Sequence, residues 1–305
     1  MGIFDKIKEP VFLKDDSSAV TQLAMLKELV KAANGPLAEQ LDLDIKCLNA
    51  GIYGEETIRF ELQNSHIPMF VLHDLYLEHG DLSAQIDYLI ITRKNQYVLE
   101  CKNLFGNIEI NSNGDFIRTI SFGRHTKKEG LYSPITQNRR HLELIKQIRS
   151  AARSNWLSKA LFERFFFDNY HSLVVLSNPK TILNAKYAKR EIKEQVIRAD
   201  QLAEYIRRAD SDPKAVAISE KDMEALAKFF LSCHKQPKID YTEKFRTLME
   251  SSATESTPSQ STVQTICPIC GAVMVRRKAS KGANIGSEFW GCSNFPKCRG
   301  IIAIK

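Results

Sequence analysis

Two neighbouring apolar segments, residues 86–91 and 98–102, each carry charged residues, and this combination constrains the fold more than any other feature of the sequence. The first segment contains Asp87, the second contains Glu100 and Lys102, and a polar turn separates them. Burying carboxylates and an ammonium group is costly unless they pair or bind a metal ion. The pattern therefore predicts a strand hairpin whose charged side chains form either a buried ion pair or a metal site.

Such a hairpin would bring the charged groups together. Side chains alternate between the two faces of a strand, so Glu100 and Lys102 share one face. If Ile91 lies opposite Gln96, antiparallel pairing places Asp87 opposite Glu100. Two carboxylates can hold Mg²⁺, and a lysine can orient the attacking water or offset charge on the phosphoryl group. The arrangement suits phosphodiester hydrolysis, with a buried ion pair between Lys102 and one acid as the alternative interpretation.

An upstream acid can complete this site. The sequence predicts a helix that opens at Gly54 and carries Glu55, Ile58 and Leu62 on one face. An acid at the start of the apolar face points toward the core, where it can reach the hairpin. The alternative is that Glu55 only complements the helix dipole in the first helical turn.

These residues resemble the nuclease-related domain family, NERD, of the PD-(D/E)xK phosphodiesterase superfamily. The resemblance is good over about residues 45–150 and looser to about residue 210, and its motifs are residues 54–55, 85–88, 100–103 and 133–138. The superfamily has a restriction-endonuclease-like fold, so the resemblance implies an α/β protein with a mixed sheet flanked by helices. Ile86 stands where the superfamily usually has proline before the catalytic aspartate.

The resemblance also assigns roles to the site residues. It implies that Asp87, Glu100 and Lys102 form the catalytic core, with Asp87 and Glu100 as ligands of Mg²⁺ or Mn²⁺. It makes Glu55 the helical acid and Gln137 the polar residue on the helix after the sheet.

The remaining core sequence predicts further strands and helices. Strands are expected at residues 107–110, 116–122, 172–176 and 195–198, and helices at residues 20–33, 135–150 and 219–233. Gln137 and His141 are four residues apart, so both can face the site, with a packing role as the alternative for His141. His125, Lys127 and Lys128 are expected in a loop that could touch phosphate.

Four cysteines near the end of the chain have the spacing of a tetrahedral zinc site: Cys267, Cys270, Cys292 and Cys298. The segment around them is too short for a sufficient apolar core, so zinc would supply much of its folding free energy. Disulfides in a secreted protein are the alternative, but no signal peptide is recognisable. The remaining cysteines are interpreted as small core residues: Cys47, Cys101 and Cys233.

This segment resembles the four-Cys zinc ribbon of bacterial type IA topoisomerases, on the motifs at residues 267–271 and 289–298. In that family the ribbon binds single-stranded DNA, so the resemblance implies a nucleic-acid partner and favours DNA. A preference for single strands is one outcome to test. It implies no topoisomerase chemistry, because the chain has no room for the cleavage domains.

The charge of the ribbon agrees with this partner. Residues 267–305 contain seven basic residues and one acid, Glu288, and so carry +6 of the formal net charge of +7. Cationic residues interleaved with aromatic ones are typical of single-strand binding. The aromatic rings, including Phe295, can alternatively pack around the zinc. The candidate nucleic-acid-binding residues are Arg276, Arg277, Lys278, Lys281, Phe289, Trp290 and Lys297.

The sequence predicts five segments: an N-terminal helical extension (1–44), the nuclease-like domain (45–210), C-terminal helices of the core (211–250), a Ser/Thr-rich linker (251–265) and the zinc ribbon (266–305). No apolar run is long enough to cross a bilayer, and no signal peptide or myristoylation motif is recognisable, so we expect a cytoplasmic protein without membrane contact. The predicted function is a Mg²⁺-dependent nuclease tethered to its substrate by the ribbon. The alternative is an inactive nucleic-acid-binding or scaffolding protein that keeps the nuclease fold.

Overall fold

The computed structural model describes residues 7–123, 125–237, 242–254, 267–279 and 287–303. The chain forms two compact units, Met1–Arg246 and Thr247–Lys305. Within the described residues, none of the helices is both long and apolar enough to cross a membrane.

A six-stranded mixed sheet forms the centre of the first unit. Its strands, in spatial order, are β1 (Pro10–Lys14), β2 (Met69–His79), β3 (Leu82–Ile91), β4 (Gln96–Lys102), β8 (Tyr170–Leu176) and β10 (Val196–Arg198). Strands β2, β3 and β4 are antiparallel neighbours, whereas the pairs β1–β2, β4–β8 and β8–β10 are parallel. The strands expected at residues 172–176 and 195–198 are β8 and β10.

Helices cover both faces of this sheet. The helices of the described residues are α1 (Ser18–Ala32), α2 (Pro36–Gln63), α3 (Pro134–Ala151), α4 (Trp156–Asn169), α5 (Arg190–Lys193), α6 (Leu202–Asp210), α7 (Glu220–Cys233) and α8 (Glu243–Thr254). Apolar residues of α2 and α6 pack on one face, and those of α3, α4 and α7 pack on the other. This arrangement confirms the predicted α/β class with a mixed sheet between helices.

The hairpin of β3 and β4 has the predicted register. Ile91 lies opposite Gln96, and the pairing continues to Tyr88 opposite Leu99. The turn is closed by Thr92, whose backbone N–H donates to the carbonyl of Asn95 at 2.9 Å. The next residues beyond the Tyr88–Leu99 pair are Asp87 and Glu100, so the turn sets the position of both carboxylates.

Helix α2 begins eighteen residues earlier than the sequence predicted, at Pro36 instead of Gly54. Gly54 and Glu55 therefore lie in the interior of a 28-residue helix. The prediction of a helix start at Gly54 was wrong, and so was the alternative that Glu55 belongs to a first helical turn. The boundary expected between residues 44 and 45 falls inside this helix.

A smaller four-stranded sheet consists of β7 (His125–Leu131), β6 (Phe116–Phe122), β5 (Asn107–Ile110) and β9 (Leu183–Asn184). Strands β5 and β6 have the predicted bounds. The prediction that His125, Lys127 and Lys128 lie in a loop was wrong, because they belong to β7. This strand is stabilised by pairing with β6, including the ion pair between Arg118 and Glu129.

The second unit contains an antiparallel three-stranded sheet of β11 (Met274–Lys278), β12 (Glu288–Cys292) and β13 (Ile301–Ala303). The expected linker at residues 251–265 overlaps the end of α8, and its remaining residues lie outside the described ones.

Candidate functional site

Three of the expected catalytic residues meet at the carboxyl end of β4. The Lys102 ammonium donates to Glu100 Oε1 at 2.6 Å and to Gln137 Oε1 at 3.2 Å. Gln137 lies in the first turn of α3, where the Ser133 hydroxyl accepts a hydrogen bond from the backbone N–H of Thr136 and caps the helix. The cap therefore fixes the turn that carries Gln137 to the site.

Asp87 joins the site from β3. Its Oδ2 accepts a hydrogen bond from the backbone N–H of Cys101 at 2.7 Å. Burial, followed by the nearby charges of Glu100 and Glu55, raises the pKa of Asp87 well above its usual range. Burial also raises the pKa of Glu100, although the Lys102 ammonium opposes this shift. The site thus has more carboxylate charge than one lysine can neutralise.

Glu55 is held at the site by two residues that the sequence did not single out. Its Oε2 lies 2.8 Å from Nε2 of His73 on β2. The His73 ring stacks on Tyr88 of β3, with centroids 4.5 Å apart, and the Tyr88 hydroxyl donates to the Glu55 carbonyl at 2.9 Å. A histidine within the apolar run 69–77 was the available signal for this contact.

His141 faces the same site from the second turn of α3. It is 8% exposed, and its Nδ1 lies 3.5 Å from Glu100 Oε2. Burial lowers the pKa of His141 to about 4, so the ring is neutral at pH 7. Neither Glu100 Oε2 nor His141 Nδ1 has a hydrogen-bond partner.

The donor set at this site fits a hard divalent cation. Asp87 is half-buried and Glu100 is buried, both lie on adjacent strands, and Glu100 offers one oxygen without a partner. A divalent cation would offset the burial and the repulsion between acids that together raise both pKa values. Among the described residues, no three Asp, Glu or His ligand atoms of this site lie within 4.8 Å of one another, so water would complete the coordination of an ion held here.

The four cysteines of the ribbon do gather. Their sulfur atoms lie within 4.8 Å of one another, including 3.7 Å between Cys267 and Cys298 and 3.4 Å between Cys270 and Cys292. Two thiolates on one tetrahedral zinc at about 2.3 Å lie about 3.8 Å apart. None of the four forms a disulfide. The cluster therefore supports zinc and excludes the disulfide alternative.

The ribbon sheet separates the candidate nucleic-acid-binding aromatic residues. Trp290 packs against the buried cysteines together with Met274. Phe289 alternates with Trp290 along β12 and lines a cavity of about 470 Å³ that Cys292 and Cys298 also line. Arg277 and Phe295 line the same cavity, with the guanidinium carbon 5.8 Å from the ring centroid.

The charged candidates of the ribbon have different surroundings. Arg276 forms an ion pair with Glu288, whereas Lys278 and Lys297 are exposed. Lys281 lies outside the described residues. The face that carries Arg277 and Phe295 is therefore the one that combines positive charge with an exposed ring.

Comparison with known protein families gives two matches. Residues 50–177 match the nuclease-related domain, and residues 264–305 match the topoisomerase DNA binding C4 zinc finger. No curated protein and no solved structure matches the chain significantly. The chain therefore combines a nuclease-related domain with a topoisomerase-type zinc ribbon, and both resemblances are confirmed. The first domain is similar to the NERD family, and this similarity implies the PD-(D/E)xK superfamily. Both domains indicate a nucleic-acid partner.

Proposed function

We propose that this protein is a nuclease that hydrolyses DNA phosphodiester bonds and depends on Mg²⁺ or Mn²⁺ held by Asp87 and Glu100. The observation that carries the proposal is the meeting of Asp87, Glu100 and Lys102 at the ends of β3 and β4, with both acids raised in pKa. Strongly perturbed carboxyl groups beside a lysine are typical of functional sites.

The chain's own residues have distinct roles in this proposal. When bound, the metal ion polarises the phosphoryl group and lowers the pKa of a bound water. Lys102 offsets charge that develops on the phosphate, and Gln137 orients its ammonium group. Glu55, fixed by His73, supplies the third acid of the site.

The ribbon supplies affinity in this proposal. Its Arg277 and Phe295 face offers a cation beside an exposed ring, which suits a phosphate and an unstacked base. A short tether between the two units would raise the local concentration of DNA near the nuclease site. We propose a reducing, cytoplasmic location, because the zinc ligands must remain thiolates.

A second candidate is a nucleic-acid-binding protein that keeps the nuclease fold without turnover. The 2.6 Å ion pair between Lys102 and Glu100 favours it, because this contact already satisfies one carboxylate oxygen. Under either function we propose the expected segments with two changes: no boundary at residue 44, which lies inside α2, and a linker that begins after α8.

One experiment separates the two candidates. The full chain is incubated with single-stranded, duplex and branched DNA and with RNA, in Mg²⁺, Mn²⁺ or EDTA. We expect the wild type to cleave at least one DNA in a metal-dependent reaction. Asp87→Asn should remain folded but should not cleave it. Absence of cleavage on every substrate, with DNA binding intact, would support the second candidate.

A further inference from the structure

Two buried polar atoms face each other in the candidate nuclease site, and neither has a partner. They are Oε2 of Glu100 and Nδ1 of His141, 3.5 Å apart. Glu100 is 2% exposed and His141 is 8% exposed, so water does not freely satisfy either atom. Orphaned polar atoms at such depth are rare in folded proteins and call for a physical explanation.

A shared metal ion explains the separation of these atoms better than a direct hydrogen bond does. The 3.5 Å distance is longer than an ordinary N–H···O contact. Two ligand atoms that each lie about 2.2 Å from one ion are about 3.1 Å apart at a right angle and about 3.6 Å apart at the tetrahedral angle. The observed spacing falls within this range.

The surrounding structure fixes both ligand atoms. The Lys102 ammonium occupies Glu100 Oε1, which leaves Oε2 as the available oxygen. The α3 helix that carries His141 is anchored to the sheet by Asn138, whose amide donates to the Val98 carbonyl at 2.7 Å and to the Ser172 hydroxyl at 3.0 Å. A side chain on so rigid a support is pre-positioned for ligation.

We propose that His141 Nδ1 and Glu100 Oε2 bind the metal ion of the site together, and that the site therefore selects Mn²⁺ over Mg²⁺. This inference rests on the proposed function for the presence of a metal ion. Mg²⁺ prefers oxygen ligands, whereas an imidazole nitrogen favours transition metals. The Asp87 carboxylate does not lie within 4.8 Å of both atoms, so water completes the coordination.

The test uses the zinc-loaded full chain with Mn²⁺ and reads pulsed electron paramagnetic resonance, which detects a nitrogen nucleus bound directly to manganese. Four thiolates retain zinc against Mn²⁺, so the ribbon does not compete for the probe. His141→Ala removes the ligand. His141→Asn keeps an amide that can donate to Glu100 but removes the imidazole nitrogen. The matched control is His171→Asn, at a half-buried histidine whose Nε2 contacts Asn95 Oδ1 at 2.8 Å near the start of β4.

We expect nitrogen coupling in the wild type and in His171→Asn, and none in either His141 variant. Mn²⁺ affinity should fall at least about tenfold in both His141 variants, while Mg²⁺ affinity changes less than about threefold. Thermal unfolding and zinc content establish whether each variant is folded. If His141→Ala is not folded, the conservative variant His141→Asn provides the test.

Two results would overturn the inference. One is Mn²⁺ binding without nitrogen coupling in the wild type, which would leave the proposed nuclease function standing. The other is wild-type behaviour of His141→Asn with both metals, which would mean that His141 only positions Glu100 by hydrogen bonding. A wild type that binds neither metal would instead contradict the metal-dependent function itself.

Discussion

Gly54 of α2 lies against Ser177, the residue that follows β8, so closely that a Cβ atom on the glycine would be 2.6 Å from the serine hydroxyl oxygen. The same Cβ would lie 2.8 Å from Cβ of Asn103 and 3.2 Å from Sγ of Cys101. These neighbours flank Lys102 at the carboxyl end of the sheet. The absence of a side chain at residue 54 therefore lets α2 bring Glu55 to the site.

Gly54→Ala should destabilise the fold and impair the site, because the added methyl group has no room beside β4 and β8. We expect a loss of about 1–3 kcal/mol in the free energy of unfolding, as for other overpacked positions. Gly51→Ala is the matched control, since a Cβ there would meet nothing within 4 Å. That variant should be neutral or more stable by up to about 1 kcal/mol. Chemical denaturation of both variants decides the matter, and equal stabilities would contradict the close-contact interpretation.

The hairpin and α3 could be predicted because local rules determine them. The polar turn after Ile91 fixes the register of the hairpin, and a Ser-Pro start with regular apolar spacing defines α3. Gln137 and His141 followed from helical spacing alone. Their actual contacts with Lys102 and Glu100 required the tertiary fold.

The features that were missed depend on contacts distant in sequence. Gly54 resembles a helix breaker by propensity, but it lies inside α2 because its neighbours on β4 and β8 require a small residue. His73 reaches Glu55 only because α2 packs against β2. The polar strand β7 has no apolar alternation, and its pairing with β6 determines its conformation.

Each residue of the catalytic core should be needed for cleavage but not for folding. Asp87→Ala, Glu100→Ala and Lys102→Ala should each lower metal-dependent cleavage by at least about 100-fold, since each removes a charge that acts on the metal or the phosphate. Cleavage is measured at saturating metal on the best DNA substrate, with circular dichroism to establish folding. Glu224→Ala, which breaks an exposed ion pair with Lys228 on α7, is the control and should keep full activity. Wild-type cleavage by one core variant would remove that residue from the assignment.

The raised pKa values of Asp87 and Glu100 predict how metal-free stability depends on pH. An acid with a higher pKa in the folded state binds more protons when folded. Its contribution to stability therefore falls as the pH rises from the usual pKa of the acid toward its raised pKa. Asp87→Asn removes one such acid. The stability of the variant relative to the wild type should therefore increase from pH 4 to pH 8 in EDTA.

Urea denaturation across that pH range provides the measurement. Lowered pKa values elsewhere, such as that of Asp15 beside Arg59, act in the opposite direction but are common to both proteins. The comparison with Asp87→Asn therefore isolates the site. A stability difference that stays constant with pH would mean that Asp87 is not buried against other acids.

Removal of residues 255–305 should weaken DNA binding without removing the nuclease chemistry. The truncation keeps α8, whose Phe245 is buried against α1 and α2. Because counterion release scales with the number of phosphate contacts, the dependence of affinity on salt should become shallower. Fluorescence anisotropy at several salt concentrations measures this slope, and cleavage should persist at high protein concentration. An unchanged affinity and slope would contradict a role for the ribbon in binding.

Phe295→Ala and Trp290→Ala provide a sharper comparison within the ribbon. Phe295 is 57% exposed beside Arg277, whereas Trp290 packs on the cysteine cluster. We expect Phe295→Ala to keep zinc and lose about 1–3 kcal/mol of single-strand binding through lost stacking. Trp290→Ala should lower zinc retention before it lowers single-strand binding. If Trp290→Ala weakens single-strand binding and Phe295→Ala lowers zinc retention, the binding face lies at Trp290 instead of Phe295.

The zinc of the ribbon and the metal of the nuclease site should respond independently, because four thiolates select zinc whereas carboxylates accept harder ions. Purified protein should contain close to one zinc per chain, bound by the clustered sulfur atoms. Cys270→Ser and Cys298→Ser should each lose that zinc, and Asp87→Ala should retain it in full. Brief EDTA treatment should stop cleavage before any zinc leaves, with activity restored by Mg²⁺ or Mn²⁺. Elemental analysis of the three variants is decisive: zinc that survives both cysteine substitutions, or that is lost with Asp87, would place the zinc at the hairpin and contradict two separate metal sites.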